Sequence, residues 1–530
     1  MAIGRFWRRA AAPRPLAIVV YADGPLPHLS RTLDRLADTT PGLSVEIPLV
    51  IIDPRGRESA RRRHRLSQIA VASGAEVHLA AVAPRADIVV HLQSGILTLP
   101  GWLTPLVEAL AEPDVAAAAP VVVAPDGTIA AAGWGDHGPG LAGLPVEDAD
   151  TVTGQSMRGL ADACVAARPA VSGGRLVVVP TSRVRRRHGT ESASGWRDPQ
   201  AGGPSLPAGM GRDAEGHLVR DRPRISQAPP RLRWAIKNPA PTGLRGERWG
   251  DTHFARRLAI ALRALGQEVV IDHAPAFYRE TGSLDDVTLT LRGLRAYVPR
   301  PEQINLLWII SHPELLTAAE CAPFDAVYAA STTFAADHSD WGIRALLQCT
   351  DPARFHPDRA EPDTGAQVLF VGNNRGAGRP IVAQALEAGL PLEVHGNRWD
   401  GVIATEIARP PVPNDRLGQA YRAAGMVLGD HAPDMAAQGF ISNRIFDAVA
   451  AGARAVSDPV QGLAEVLPSV RVVASAGDLR ALWAADRESA FGTDASLRQA
   501  AAAVAAEHSF DRRAARLLDD AAALWRAVQR

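Results

Sequence analysis

Cysteine and lysine are scarce in this sequence of 530 residues, which holds three cysteines and a single lysine, Lys237. So few cysteines, and an odd number of them, support no disulfide framework. Of 57 Lys+Arg, the 57 − 1 = 56 that remain are arginine, so a phosphate gripped by a side-chain cation is gripped by a guanidinium fork. A surplus of one charge is also absent: 57 basic against 57 acidic residues exclude an intrinsically disordered protein of the acidic or basic tail kind and argue against nucleic acid as a partner. No apolar run approaches the ~20 residues of a membrane-spanning helix. The longest are 16–22 and 115–124, and the second contains Pro120. The start of the chain, with Arg5, Arg8 and Arg9 ahead of a Pro/Ala stretch, lacks the apolar centre of a secretory signal. A cytoplasmic location is expected. The clusters Arg61 to Arg63 and Arg183, Arg185 to Arg187 read as solvated surface, and they also admit peripheral contact with the inner face of a membrane.

What is present is core-forming material. At 46% hydrophobic residues, and ~150 residues per folding unit, three or four units are expected, and two or three would also fit. Residues 1–14 form a basic tail. Over 15–197 strand-like runs (16–21, 45–52, 88–92, 121–123, 176–179) alternate with helical stretches (29–36, 103–111), an α/β pattern. Residues 198–231 turn to Gly, Pro, Ser, Arg and Asp without periodicity and read as a linker. A second α/β region follows, and EPDTG at 361–365 divides it into two Rossmann-like halves, 232–360 and 361–530. The first half offers strands at 234–236, 268–271, 304–310 and 326–330 and a helix at 251–265. The second offers strands at 368–372, 392–395 and 426–428, then terminal helices with Ser509 as an N-cap.

Three segments could carry chemistry. In VLFVGNNRGAGRPIV a buried-type strand ends in Gly372, Asn373, Asn374, Arg375, Gly376, Gly378 and Arg379 before a helix. Such a turn can present free amides and the positive end of a helix dipole to a phosphate, with Arg375 and Arg379 completing the site. It matches neither GxGxxG nor the Walker spacing, and reads equally as an ordinary strand-to-helix turn. In EVHGNRW a strand ends in His395, Gly396 and Asn397, a second polar turn at a strand carboxyl end. In GFISNRIFDAVAAGARAVSD, Ser442 can cap a helix from Asn443 to Ala451 closed by Gly452. Arg444 and Asp447 lie on its first turns, and a capped surface helix would look the same.

Taken together, VGNNRG, HGNRW, NDRLGQAYRAAGMVLGDH, SNRIFDAVAAGARAVSD and HSFDRRAARLL resemble the donor-binding half of GT-B glycosyltransferases of the group-1 (family 4-like) branch, with its spore-maturation-type members. The resemblance spans roughly 233–525. It implies a pair of Rossmann-like domains, a nucleotide-sugar donor, a glycan or glycolipid acceptor, and transfer without a metal or other cofactor. It puts Gly372 to Arg375 beside the diphosphate, His395 to Asn397 near the nucleotide, Ser442 and Asn443 at a donating helix start, and Asp447 on the ribose. Arg375, Arg379 or Arg444 stands in for the usual lysine. PTGLRGERWGDTHFA, with Gly246, Trp249 and Asp251, resembles the acceptor-side loop. His312 in WIISHPE is the expected acceptor-side contact or base, and Arg375 the expected catalytic cation. One departure is Gly439, where the family carries a second glutamate.

The N-terminal region resembles a degenerate GT-A domain of the family 2 type, through LAIVVYADGPLPHLSRTLDRL, PLVIIDPRG, PGWL and PDGTI. That family's acidic DxD pair is replaced by Gln93, Ser94 and Gly95, and neutral groups cannot substitute for carboxylates on a hard cation. Its later acidic pair has a distant counterpart in Glu147 and Asp148, and Asp53 stands where the family often meets the base. The missing carboxylates keep a second reading open, a non-catalytic nucleotide-sugar or glycan-binding scaffold in polysaccharide assembly. A non-transferring GT-B relative such as an epimerase is a third.

Overall fold

The computed structural model describes residues 14–528 except 23–24, 44–46, 48, 53–59, 74, 79–85, 136–137, 162, 170, 172–173, 187–192, 198–200, 216, 222–228, 360–367, 375 and 377. Arg375, Asp53, Arg187 and the 361–365 break therefore lie outside the described residues. The chain divides into two compact units, residues 1–222 with 241–244 and 272–284, and the remainder to 530. No described helix is long and apolar enough to cross a membrane.

The first unit is built on a mixed sheet. Its strands are β1 (Arg14–Tyr21), β2 (Leu49–Ile52), β3 (Glu76–His78), β4 (Ala86–Gln93), β5 (Ile96–Thr98), β6 (Val115–Val123), β7 (Ile129–Ala131), β8 (Cys164–Ala167) and β9 (Arg175–Arg186). They run in the order β3-β2-β1-β4-β8-β6-β9-β5, with β7 on β6. β1 to β4 pair in parallel, whereas β8 is antiparallel to both its neighbours. Helix α1 (Leu26–Thr39) buries Leu29, Leu33 and Leu36, a 3–4 spacing that gives it one apolar stripe. β6 is buried at every residue although it contains Pro120, which has no amide to give a ladder. The partner strand absorbs the defect, since its register jumps from Val179 opposite Pro120 to Arg183 opposite Val121.

The stretch expected as a linker is partly structured. Met210–Arg212 and Leu218–Arg220 form an antiparallel hairpin, and Leu206, Met210 and Leu218 pack on the first unit's core. Three apolar anchors spaced through a Gly/Pro-rich segment suffice to dock it, and composition alone hid them.

The second unit holds two parallel sheets. The first has β10 (Arg233–Asn238), β11 (Glu268–His273), β12 (Val287–Arg292), β13 (Ile304–Ile309), β14 (Ala326–Ala329) and β15 (Ile343–Ala345), in the order β11-β10-β12-β13-β14-β15. β12 is additional to the strands expected. Its Thr/Leu alternation resembles a half-solvated strand, yet Thr288 and Thr290 are buried, the former donating to Asn305 Oδ1 at 2.7 Å. The second sheet has β16 (Val368–Val371), β17 (Leu392–His395), β18 (Ala408–Arg409), β19 (Met426–Gly429), β20 (Ala455–Ser457) and β21 (Arg471–Val472), all parallel, in the order β18-β17-β16-β19-β20-β21. Counted from its own first strand that order is 3-2-1-4-5-6, the doubly wound Rossmann arrangement. The expected α/β class with paired Rossmann-like halves is what the structure has.

Helix α2 (Gly250–Ala264) covers the first sheet together with the last helix of the chain (Phe510–Val528), through Phe254, Leu258, Phe510, Leu517 and Trp525. That last helix was expected with the second half, but its core is the first half's. The chain crosses back where Thr350 N donates to His508 O at 2.8 Å and Phe510 N donates to Thr350 O at 3.1 Å.

Candidate functional site at the strand-order reversal of the second sheet

The strand order reverses between β16 and β19, with the helix at Pro380–Glu387 packed on one face of the sheet and that at Asn443–Ala450 on the other, the place where an open α/β sheet has a crevice beyond its strand carboxyl ends. Gly372 to Asn374 leave β16 there, Gly396 and Asn397 leave β17, and Asp430 and His431 leave β19. The turns are knitted together. Gly372 N donates to His395 O at 2.8 Å, Asn374 N to Asn397 O at 3.0 Å, and Asn397 N to Asn373 Oδ1 at 2.8 Å.

The expected row of free loop amides is partly spent. The Gly376 and Gly378 amides donate to the buried Asn374 side chain at 3.2 and 3.1 Å, because an Asn at that place closes its own turn. Arg379 is also committed. It bonds Asn373 O through Nε and Nη2, and its Nη1 lies 2.8 Å from Asp430 Oδ1, with both side chains at most 5% exposed. The other neighbour of Asp430 is Arg444, whose Nη1 is 3.4 Å from the same oxygen and whose side chain keeps 19% exposure. Both guanidinium groups also lie over the Phe370 ring, at 5.6 and 5.3 Å. Two guanidiniums around one carboxylate leave a surplus of one positive charge, and Arg444 is its exposed end. A side chain at Gly372 would close this space, since a Cβ there would lie 2.9 Å from Arg444 Nη2 and 3.2 Å from the Phe370 ring.

Helix α3 (Pro380–Glu387) starts beyond Arg379, and α4 (Asn443–Ala450) starts beyond Ser442. Ser442 occupies the N-cap position in extended conformation, but its hydroxyl makes no capping bond. Its amide instead donates to His431 Nε2 at 2.7 Å. Asn443 Nδ2 donates to Asp447 Oδ2 at 2.9 Å, while Thr350 donates to Asp447 Oδ1 at 2.7 Å. Asp447 keeps a little accessible surface but is densely surrounded, and burial raises its carboxyl to about 7. Asp447 thus fastens α4 to the segment at Thr350 where the chain crosses back, and a ribose there would have to share oxygens already accepting bonds. His395 is tied by Nδ1 to Pro410 O at 2.9 Å.

The residues expected on the acceptor side gather on the first half of this unit. Trp249 precedes α2, Gly246 O accepts from Thr252 Oγ1 at 2.9 Å, and Asp251 lies in the first turn. Burial raises the Asp251 carboxyl, against the opposing pull of nearby His312. His312 has a left-handed backbone (φ 55°), uncommon without glycine, and its Nδ1 is 3.1 Å from Glu314 Oε1. Asp434, from the second half, joins them: one ligand atom each from His312, Glu314 and Asp434 lies within 4.8 Å of the others. Among the described residues the only other trio able to hold a metal is Asp213, Glu215 and His217 in the first unit's hairpin turn. At Gly439, φ is +70°, and a Cβ would lie 2.9 Å from Ser331 Oγ and 3.0 Å from Gln461 O, so the glutamate missing from this position has no room.

Sequence reasoning missed Asp430, His431 and Asp458. The GDH triplet ending a strand was the available signal, but nothing in it tells which partners 27 residues on will face it.

Residues 375–519 match the family model described as Glycosyl transferase-like. No curated protein matches the chain. Among solved structures it is similar to sucrose-phosphate synthase from Thermosynechococcus elongatus (13% identity, 56% of this chain and 100% of that one, TM-score 0.41). It is similar also to a glycosyltransferase from Rickettsia africae (11%, 55% and 98%, 0.39) and to Anabaena Alr3699/HepE in complex with UDP (10%, 54% and 99%, 0.39). The matched segment, 375–519, contains Arg379, Asp430, Arg444 and Asp447 of the crevice and carries a glycosyl transferase-like domain.

Proposed function

We propose that this chain transfers a glycosyl group from a nucleotide-diphosphate sugar to a hydroxyl of a glycan or glycolipid, with the donor in the crevice of the second sheet. The observation that carries the reading is the unbalanced guanidinium pair at the strand-order reversal, inside the segment that matches the glycosyl transferase-like family. As the glycosidic bond breaks, charge accumulates on the departing diphosphate, and a preorganised guanidinium aimed at that position stabilises the transition state more than the ground state. Arg444 supplies that cation, Asp430 and Phe370 hold it in place, and Arg379 fixes the turn beneath it. His312, with Nδ1 beside Glu314, has Nε2 available to orient the acceptor hydroxyl or take its proton. On this reading no cation is required on the diphosphate.

A donor screen tests it: incubation of the full chain with UDP-, GDP-, ADP- and dTDP-sugars, read by mass spectrometry for released nucleoside diphosphate, with and without EDTA. Release of one diphosphate, unchanged by EDTA, is expected. No release from any donor would sink the reading, and loss of release in EDTA would overturn its metal-free form and direct attention to His312, Glu314 and Asp434.

A further inference from the structure

The start of α4 is held in an unusual way. A helix's first amides are ordinarily satisfied by a Ser, Thr, Asp or Asn side chain at the N-cap, and here Ser442 stands in that position without using its hydroxyl. The amide of Ser442 itself is accepted by another element, the imidazole of His431 just beyond β19, whose Nε2 lies 2.7 Å from Ser442 N. A backbone amide can only donate, so Nε2 carries the lone pair and the proton sits on Nδ1. Nδ1 faces Asp458 Oδ1 at 2.6 Å, and the other oxygen, Oδ2, accepts from the His431 amide at 3.0 Å. Asp458 follows β20, the neighbouring strand, and Ser457 Oγ donates to its Oδ1 at 3.2 Å. The His431 side chain has no solvent exposure.

We propose that His431 is a positioning residue: fixed as the Nδ1–H tautomer by Asp458, it anchors the start of α4 to the sheet and thereby holds Arg444 over the crevice. Arg444 lies two residues beyond the anchored amide, and the residue before His431 is Asp430, which holds the same guanidinium. Two consecutive residues at one strand end therefore set both the helix that carries the cation and the carboxylate that orients it. A hydroxyl at the N-cap serves the amides two or three residues further on, not that of its own residue, and it moves with the helix. An acceptor on β19 ties the helix to the strand beside the crevice. The link to Arg444's role rests on the donor reading above; the anchoring itself does not.

The test compares His431→Ala, His431→Gln and His431→Asn in the full chain. Gln carries an amide oxygen out to the place of Nε2, whereas Asn falls short of it. Two readouts are taken: deuterium exchange of the peptide spanning 440–446, and calorimetric binding of UDP and GDP as probes. His431→Ala is expected to speed exchange at the helix start and to weaken nucleotide binding, each by about tenfold, with His431→Gln near the parent in both. Unchanged exchange in His431→Ala overturns the anchor, as does a His431→Gln variant no better than His431→Ala. Faster exchange with undiminished binding overturns the link to Arg444. If His431→Ala does not fold, His431→Gln against His431→Asn decides by the same readouts. A parent chain that binds neither nucleotide, while exchange behaves as expected, counts against the donor reading and leaves the anchor standing.

Discussion

Two crevices of the same topological kind occur in this chain, and they are furnished differently. In the first unit β3-β2-β1-β4 run parallel, so the strand order reverses between β1 and β4 as it does between β16 and β19 in the second. At the first reversal the described polar groups bond one another. Tyr21 bonds His91 at 2.9 Å, Ser94 N donates to Tyr21 O at 3.0 Å, and Gly95 N donates to Thr32 Oγ1 at 2.9 Å. A guanidinium there, Arg62, donates to Ala22 O. Gln93 and Ser94 add no charge. At the second reversal two guanidiniums share one carboxylate and one of them stays partly exposed. The topology is the same at both, and what differs among the described residues is the charge left over after internal pairing, on which the proposed diphosphate site rests.

The widest separation between the two sites is expected from Arg444→Ala, which should lower donor turnover by about 10²-fold, the scale of losing one preorganised donor at a developing anion. Turnover within twofold of the parent, with the melting temperature retained, would remove the second crevice's distinction. Gly372→Ala should act more mildly. Its Cβ meets the far end of the flexible Arg444 side chain 2.9 Å away, so the guanidinium shifts and donor affinity falls by about tenfold, read by calorimetry, while the fold survives.

A smaller effect concerns stability. Burial holds the Asp447 carboxyl at about 7 in the folded chain, above the ~3.9 of an unfolded aspartate. The folded state therefore binds the extra proton between those values. Stability from this group is lost as pH rises through that window, and the loss is complete above the folded value. Asp447→Asn should flatten the decline of melting temperature between about pH 4 and 7 by a few degrees, and an unaltered slope would show that the carboxyl is not held high. The smallest effect is expected at the first crevice: Gln93→Ala should leave donor turnover within about twofold, whereas a loss comparable to that in Arg444→Ala would place chemistry in the first unit.

Most strands could be read ahead of the structure because a parallel strand buried on both faces is a continuous apolar run, as in VLFV at 368–371 and INLLWI at 304–309. β12 escaped because its threonines mimic a solvent-facing alternation, and the 210–220 hairpin escaped because few apolar residues mark it. Of the candidate site, the polar turns at 372–374 and 395–397 and the helix start at 442–444 were legible as glycine, asparagine and arginine at strand ends. Which of these groups would be used up was not. Asn374 closing its own loop, Arg379 sealed against Asp430, and Asp447 bonded to Thr350 follow from contacts spanning up to 97 residues.

The sequence by itself determined the α/β class, the arginine-only chemistry and the location of the polar turns, because periodicity, composition and strand-end residues are local properties. The tertiary structure decided which cation keeps its charge available, that the last helix completes the first half's core, and that a histidine on one strand end caps a helix eleven residues later. Those outcomes depend on which strands become neighbours, and neighbourhood in a parallel sheet is set by packing both faces at once.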